Sequence, residues 1–403
     1  MAKEEKKAPK LRFNGYTNDW ERKEFGDVVE FYSGLTYKPE NITQSGTLVI
    51  RSSNIHNSQY VNADNVYVKN NIVNSEYVKK QDIVVVVRNG SRNLIGKHAL
   101  LTSIPHNPSV IGAFMTGIRS SDNQFIETLL NTEQFKREIN KNLGATINQI
   151  TTSQFKKMRF HFSKQKENKQ IGVLFTYLDN SINLHERKCE ELTLIKKSLL
   201  QKLFPKEDKI KPEIRYKNFS DAWEQRKLGD YLSIPTKEPI TDINELKLMT
   251  LKLNLEGITL TANRETLKLG ATKYYKRHEG QLLYGKQNFF HGSIALIPKE
   301  AEGYATSGDV PALDISNVNG KYLVDYISRP SYFKAKEALA TGTGSKRIHE
   351  KTLLNFKITV PSLEEQNAIS DFITNYTNLI TLHQRKLEKL KQLKKFLLQN
   401  MFI

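Results

Sequence analysis

The chain has one cysteine, Cys189, in 403 residues. That excludes an internal disulfide framework and fits a reducing compartment. No run approaches 18 apolar residues, and the opening MAKEEKKAPK carries no apolar stretch. The sequence therefore predicts neither a membrane span nor a secretory signal, and a cytoplasmic protein. Acidic residues are also short: 43 Asp plus Glu stand against 61 Lys plus Arg, a net charge of +18. Such a balance points to a polyanionic partner, nucleic acid ahead of a membrane surface.

Reaction centres are missing as well. There is no G-x-x-x-x-G-K-[ST], and Gly342-Thr343-Gly344-Ser345-Lys346 has the wrong spacing for a phosphate loop. A methyltransferase would need a glycine-rich strand-helix turn and an N/D-P-P-Y/F loop, and neither occurs. One Cys and nine scattered His form no H-x-x-x-H or C-x-x-C pair, so no metal site is expected. Asp179 with Glu186-Arg187-Lys188 has the residue types of a nuclease site. The matching positions in the second copy described below are Thr377 and Gln384, which argues against it. The expectation is a binding and assembly protein that is not an enzyme and holds no cofactor of its own.

What the chain does contain is a repeated frame. LRFNGYTNDWERKEFGD, from Leu11, returns as IRYKNFSDAWEQRKLGD from Ile214, and Leu178 to Phe204 matches Tyr376 to Phe402 at 14 of 27 positions. The offset is 203 residues at the start of each copy and 198 at its end, with unlike segments between. A period this long means a duplicated domain and not a stacked solenoid.

In the unlike middles the apolar runs are short and β-branched, such as Leu48 to Ile50 and Ile83 to Val87, with Leu246 to Leu253, Leu282 to Tyr284 and Ile294 to Ile297 in the second copy. They predict sheet-rich domains. Phe125 to Ile139 reads as one helix. At each copy's end Ile171, Leu174, Leu178, Ile182, His185, Cys189, Leu192, Leu199 and Leu203, matched by Ile369, Phe372, Tyr376, Ile380, His383, Leu387, Leu390, Leu397 and Met401, fall at three- and four-residue spacings. These are the stripes of two long helices that most simply bury each other. Lys196 and Lys394 interrupt the stripes beside Ile195 and Leu393, which predicts a local register shift.

The expected architecture is α+β with an internal pseudo-twofold repeat. It comprises a disordered tail (1–10), a first sheet-rich domain (11–165), a first long helix (166–205), a linker (206–213), a second sheet-rich domain (214–363) and a second long helix (364–403). A 38-residue helix spans roughly 57 Å.

The tryptophan-containing opening, W-E-x-x-x-L/F-G-D, is followed by a variable domain, a glycine-serine turn and then P-x-x-E-Q-x-x-I entering a long helix. This order resembles the DNA-specificity subunit of type I restriction-modification systems. The second copy matches better, through Gly342 to Arg347 and Pro361 to Ile369; in the first, Ser163 stands for the proline and Asn168 for the glutamine. Leu48 to Ile55 and Asp82 to Leu101 also look like target-recognition segments of that family.

The resemblance implies a non-catalytic subunit whose long helices pack as an antiparallel coiled coil and hold apart two target-recognition domains, each reading one half of a bipartite asymmetric site on double-stranded DNA. The helix length then sets the two heads about one to one and a half DNA turns apart at ~34–36 Å per turn. The resemblance also implies docking of two modification subunits that methylate adenine and, through them, of restriction subunits. S-adenosylmethionine, ATP and Mg would reside on those partners. A free-standing DNA-binding or regulatory protein with the same fold and no methyltransferase partner is the alternative. An RNA-binding or coiled-coil adaptor would explain the charge and helices but not two unlike heads.

Arg, Lys, Asn and Gln make the bidentate contacts that distinguish bases in the major groove, and loops after strands carry binding residues. The candidates for DNA contact in the first domain are Arg51, Ser52, Asn54, Arg88, Asn89, Ser91, Arg92 and Lys97. In the second they are Lys273, Tyr274, Lys286, Gln287 and Asn288, with Lys346 and Arg347 from the glycine-serine turn. Trp20 and Trp223 could stack on bases, but their place in the repeated frame favours packing. His185 and His383 are either a paired ligand site or polar seam positions, and their matched places favour the seam. Arg187-Lys188, Lys196-Lys197, Arg385-Lys386 and Lys394-Lys395 are solvated faces or contacts to spacer DNA or partner subunits.

Overall fold

The computed structural model describes residues 8–104, 108–143, 148–206, 209–261, 272–342 and 345–403. Residues 1–7 of the expected tail, 207–208 of the linker and Thr343-Gly344 lie outside these. The fold class is α+β as expected, and the chain divides into two compact units: residues 1–186 with 384–403, and residues 187–383. Each long helix, Gln165–Lys202 and Leu363–Asn400, is divided between the units.

Both units follow one plan. An entry strand pairs antiparallel with the strand that leads into the long helix: Glu21–Glu24 with Arg159–Phe162, and Glu224–Lys227 with Lys357–Val360. Just before each entry strand a buried tryptophan packs edge-on against aromatic rings, Trp20 on Phe125 and Phe402, Trp223 on Tyr322. These indoles are core.

An arginine of each opening segment clasps a buried glutamate in the first turn of the long helix. Arg12 donates from Nε and Nη2 to Glu167 at 2.6 and 2.8 Å, and Arg215 does the same to Glu365 at 2.8 and 2.8 Å. Where the first copy departs from the motif, it keeps the bond. Asn168 Nδ2 donates to the Ser163 carbonyl as Gln366 Nε2 donates to that of Pro361.

Between the frame strands lie two four-stranded sheets per unit. The inner sheet of the first runs Glu30–Ser33, Met115–Arg119, Ile83–Val86, His98–Leu100; that of the second runs Leu232–Ser233, Ala312–Ile315, Leu282–Tyr284, Ile294–Leu296. The third strand of each is apolar throughout because both faces are covered. Ile83 and Val85 join the helix-side core with Trp20 and Phe125, while Val84 and Val86 join the core beneath the outer sheet with Leu48 and Ile50. Leu282 and Tyr284 divide from Leu283 in the same way.

The outer sheets share three strands. Ser109–Ile111, Thr47–Ile50 and Val66–Val68 correspond to Ala305–Ser307, Leu248–Leu251 and Ile258–Thr261, the first pair parallel in both units. The fourth strand is added at opposite edges: Ile42–Thr43 beside Val66–Val68, but Tyr274–Lys276 beside Ala305–Ser307.

Three expectations are corrected. The single helix over 125–139 is two helices, Asn123–Leu130 and Glu133–Asn142, because the Thr132 hydroxyl caps the second by accepting from Phe135 N. The helix stripes do not bury only each other. Ile171, Phe175 and Leu178 share a core with Leu397, Met401, Phe402 and the first domain's aromatic residues.

The third correction concerns register. Ile195 and Leu393 are 42% and 43% exposed, whereas Lys196 and Lys394 are half-buried and stay in the stripe. Each lysine lays its aliphatic stem along the seam and brings its ammonium to a carboxylate. Lys394 pairs with Asp179, and Lys196 lies beside Asp325. Together with Lys391–Glu186 at 2.7 Å, the Lys394–Asp179 pair gives the helices an antiparallel sense in the first unit. His185 and His383 are half-buried.

Candidate nucleic-acid interface

In the first unit the parallel pairing of Thr47–Ile50 with Ser109–Ile111 brings the two loops that follow them side by side, and Gly112 N donates to Ile50 O at 2.9 Å. The loop after Ile83–Val86 arrives at the same place, since Val87 N and Arg88 N both donate to Phe114 O.

Side chains knit the loops together. Asn89 Nδ2 donates to Ser52 Oγ at 3.3 Å, and Lys97 Nζ to the Ser52 carbonyl at 3.1 Å. Arg51 Nη2 donates to Asp64 O at 2.6 Å. The Arg88 guanidinium lies 5.0 Å from the centre of the exposed Phe114 ring, a cation–π contact that limits its freedom. Ser91 and Arg92 are exposed. Arg92 and Lys97 line a concavity with His98, Lys136 and Asn140, so the basic surface continues past the loop tips.

Seven of the eight first-domain candidates thus converge, and one is removed. Asn54 is fully buried, with its amide donating to Ala63 O at 2.5 Å and Asn65 Oδ1 at 3.2 Å. A polar residue after a strand looks like surface in a sequence; here it closes the 54–65 loop from inside. Phe114, Asn148 and Gln149 join the surface without having been singled out. Asn148 Nδ2 donates to Gly90 O at 3.0 Å, and Gln149 bridges Arg88. Their place here depends on strand pairings far along the chain, which the sequence does not announce.

The second unit builds the corresponding surface from different chemistry. The loop after Leu282–Tyr284 meets the segment around residue 346: Ile348 N donates to Lys286 O, and Gln287 Nε2 donates to Ser345 Oγ. Arg347 pairs with Asp309 at 3.1 Å and Lys346 with Glu337 at 3.0 Å, both exposed enough to exchange partners.

Two second-unit candidates commit their side chains to the scaffold, and a third its backbone carbonyl. Lys286 is 15% exposed and bound to Glu350 at 2.9 Å. Half-buried Asn288 takes Ser293 N on its carbonyl at 3.0 Å. Tyr274 packs on Ile240, Leu246 and Ala305. Lys273 is exposed at the head of the added strand. Asp309 was missed because an acid carries no basic signature, and Ser345 because it meets Gln287 across 58 residues of sequence.

Among the described residues no His, Cys, Asp and Glu group is placed to hold a metal, and no helix is long and apolar enough to cross a membrane.

The family model for the type I restriction modification DNA specificity domain matches residues 17–194 and again 220–392. The chain is similar to the type I restriction enzyme StySPI specificity subunit of Salmonella potsdam, 23% identical over 87% of this chain and 80% of the relative. It is also similar to the EcoKI specificity subunit of Escherichia coli K12, 24% identical over 85% and 78%. Its fold matches the crystal structure of the type I restriction-modification S subunit from M. genitalium, with a TM-score of 0.63 at 14% identity, over 98% of this chain and 99% of that one. Two copies of one family domain, covering most of the chain, place this protein in the type I restriction-modification DNA-specificity family, as a DNA-recognition component and not an enzyme.

Proposed function

We propose that each recognition domain reads one half of a bipartite, asymmetric DNA site. In this reading the long helices dock two modification subunits and, through them, restriction subunits. S-adenosylmethionine, ATP and Mg then belong to those partners, and the complex works in the cytoplasm.

One observation carries the proposal: a repeated frame around unlike contents. The arginine–glutamate clasp, the buried tryptophan and the frame strand pair recur in both units. Among the described residues the loop surfaces differ, with Arg88 over Phe114 in the first and Arg347 paired with Asp309 in the second. Matching frames suit identical partners, and different surfaces suit different half-sites. Arg51, Ser52, Arg88, Asn89, Ser91, Arg92 and Lys97 are the contacts proposed for the first half-site. Lys273, Gln287, Lys346 and Arg347 are those for the second. Phosphate contacts would position each domain and a few side chains would specify bases.

Mapping of methylated adenines in cells carrying this chain and its modification subunit tests the reading. A split motif with two unlike halves is expected; a single contiguous motif would reject it. Failure to purify a complex with the modification subunit would instead favour a free-standing DNA-binding protein.

A further inference from the structure

Beside the first domain's converging loops lies an apolar groove. Tyr37, Ile42 and Phe114 line it together with Arg51 and Ser52. None of its lining residues is acidic. Phe114 is 55% and Ile42 48% exposed, an apolar area beside the cations Arg51 and Arg88. Phe114 is held outward by its own backbone, whose carbonyl accepts from both Val87 N and Arg88 N, and by the guanidinium against its ring.

An apolar surface ringed by arginines, asparagine and serine matches one element of the DNA major groove. The thymine C5-methyl is the apolar group on a base edge there, flanked by acceptors and phosphates. We propose that Phe114, with the groove it closes, is a specificity-determining residue that receives the methyl of a thymine in the first domain's half-site. The proposal rests on the half-site reading above and deepens it. It concerns the first domain alone. The corresponding loop of the second carries Asp309, paired with Arg347, in place of an aromatic ring.

The test uses the assembled complex with its modification subunits. Duplexes carry the mapped site, and each thymine of the first domain's half-site is replaced in turn by deoxyuridine, which removes only the methyl. At one position the wild-type complex should lose roughly fourfold in affinity, as expected for the loss of one buried methyl group. Phe114→Ala should bind the thymine and uracil duplexes equally, near the wild-type affinity for uracil, and Phe114→Leu should fall between. Deoxyuridine in the other half-site should affect wild type and Phe114→Ala alike.

Equal wild-type binding to every uracil duplex, or discrimination that survives in Phe114→Ala, would overturn the proposal while leaving half-site reading intact. A complex that does not prefer the mapped site over a scrambled duplex would overturn both.

Discussion

The two recognition domains agree in seven strands of their two sheets and disagree in the eighth. Three strands of the outer sheet match in order and sense, but the fourth joins opposite edges, Ile42–Thr43 in one and Tyr274–Lys276 in the other. The loops beside that strand therefore fall in different places on a common base. In the first domain the segment around the added strand supplies Tyr37 and Ile42 to an apolar groove. In the second the added strand carries Tyr275, Lys276 and the His278 cluster instead. What varies is an edge, where hydrogen-bonding capacity is open and a strand is gained without disturbing the core. The frame keeps one arrangement in both units, because its strand pair and its arginine–glutamate clasp tie the entry segment to the start of the long helix.

The comparison can be broken at its largest feature first. Exchanging residues 28–142 for those of a relative should replace one half of the methylated motif and leave the other unchanged. Altered methylation in both halves would mean that the heads are not independent.

The frame should respond equally in the two units. Glu167→Ala and Glu365→Ala each leave a nearly buried arginine without its carboxylate, and each should cost about 3 kcal/mol in chemical denaturation. Unequal costs would show that the clasps only look alike.

The seam carboxylates differ between units, and pH reveals it. Burial pushes the Asp325 carboxyl up to about 6, with Lys196 and Lys321 opposing. The folded state therefore holds that proton more tightly than the unfolded chain. The associated stability is full below the usual aspartate range and is lost as pH rises through about 6. Asp325→Asn should gain on wild type between about pH 4 and 6 and then level off, by on the order of 1–3 kcal/mol. A difference independent of pH would remove burial of the charge as its cause.

Arg88→Ala should weaken binding about tenfold through the first half-site, and competition with half-site mutants would locate the loss. The smallest effect is expected at the second domain's added edge. Hydrogen bonds to Glu302 and then Glu238 raise the His278 pKa, so its stabilisation is present below the ordinary histidine range and fades as pH rises through the raised value. His278→Asn should flatten that part of the stability profile, and an unchanged profile would show the cluster to be inert.

Much of the scaffold is legible because its causes are local. A three- and four-residue period is a property of one helix, so Gln165–Lys202 and Leu363–Asn400 could be read from their own residues. The continuous apolar run at Ile83–Val86 announces a strand covered on both faces. Thr132 shows the limit: one hydroxyl ends a pattern that periodicity alone carries through. Among the site residues, Arg88 and Arg92 look exposed and are exposed. Asn54 and Lys286 look the same in sequence, but Ala63 and Asn65 hold the first and Glu350, 64 residues away, holds the second.

The sequence by itself determined that there are two similar frames, two unlike inserts and two striped helices, since repetition and period need no partner to be recognised. Only the tertiary structure decided which polar residues face solvent. It also decided that Lys196 and Lys394 stay in their stripes and that the ring of Phe114 stands beside Arg88 over an open groove. Those outcomes depend on parallel strand pairing and on carboxylates far along the chain, and a linear pattern carries no record of either.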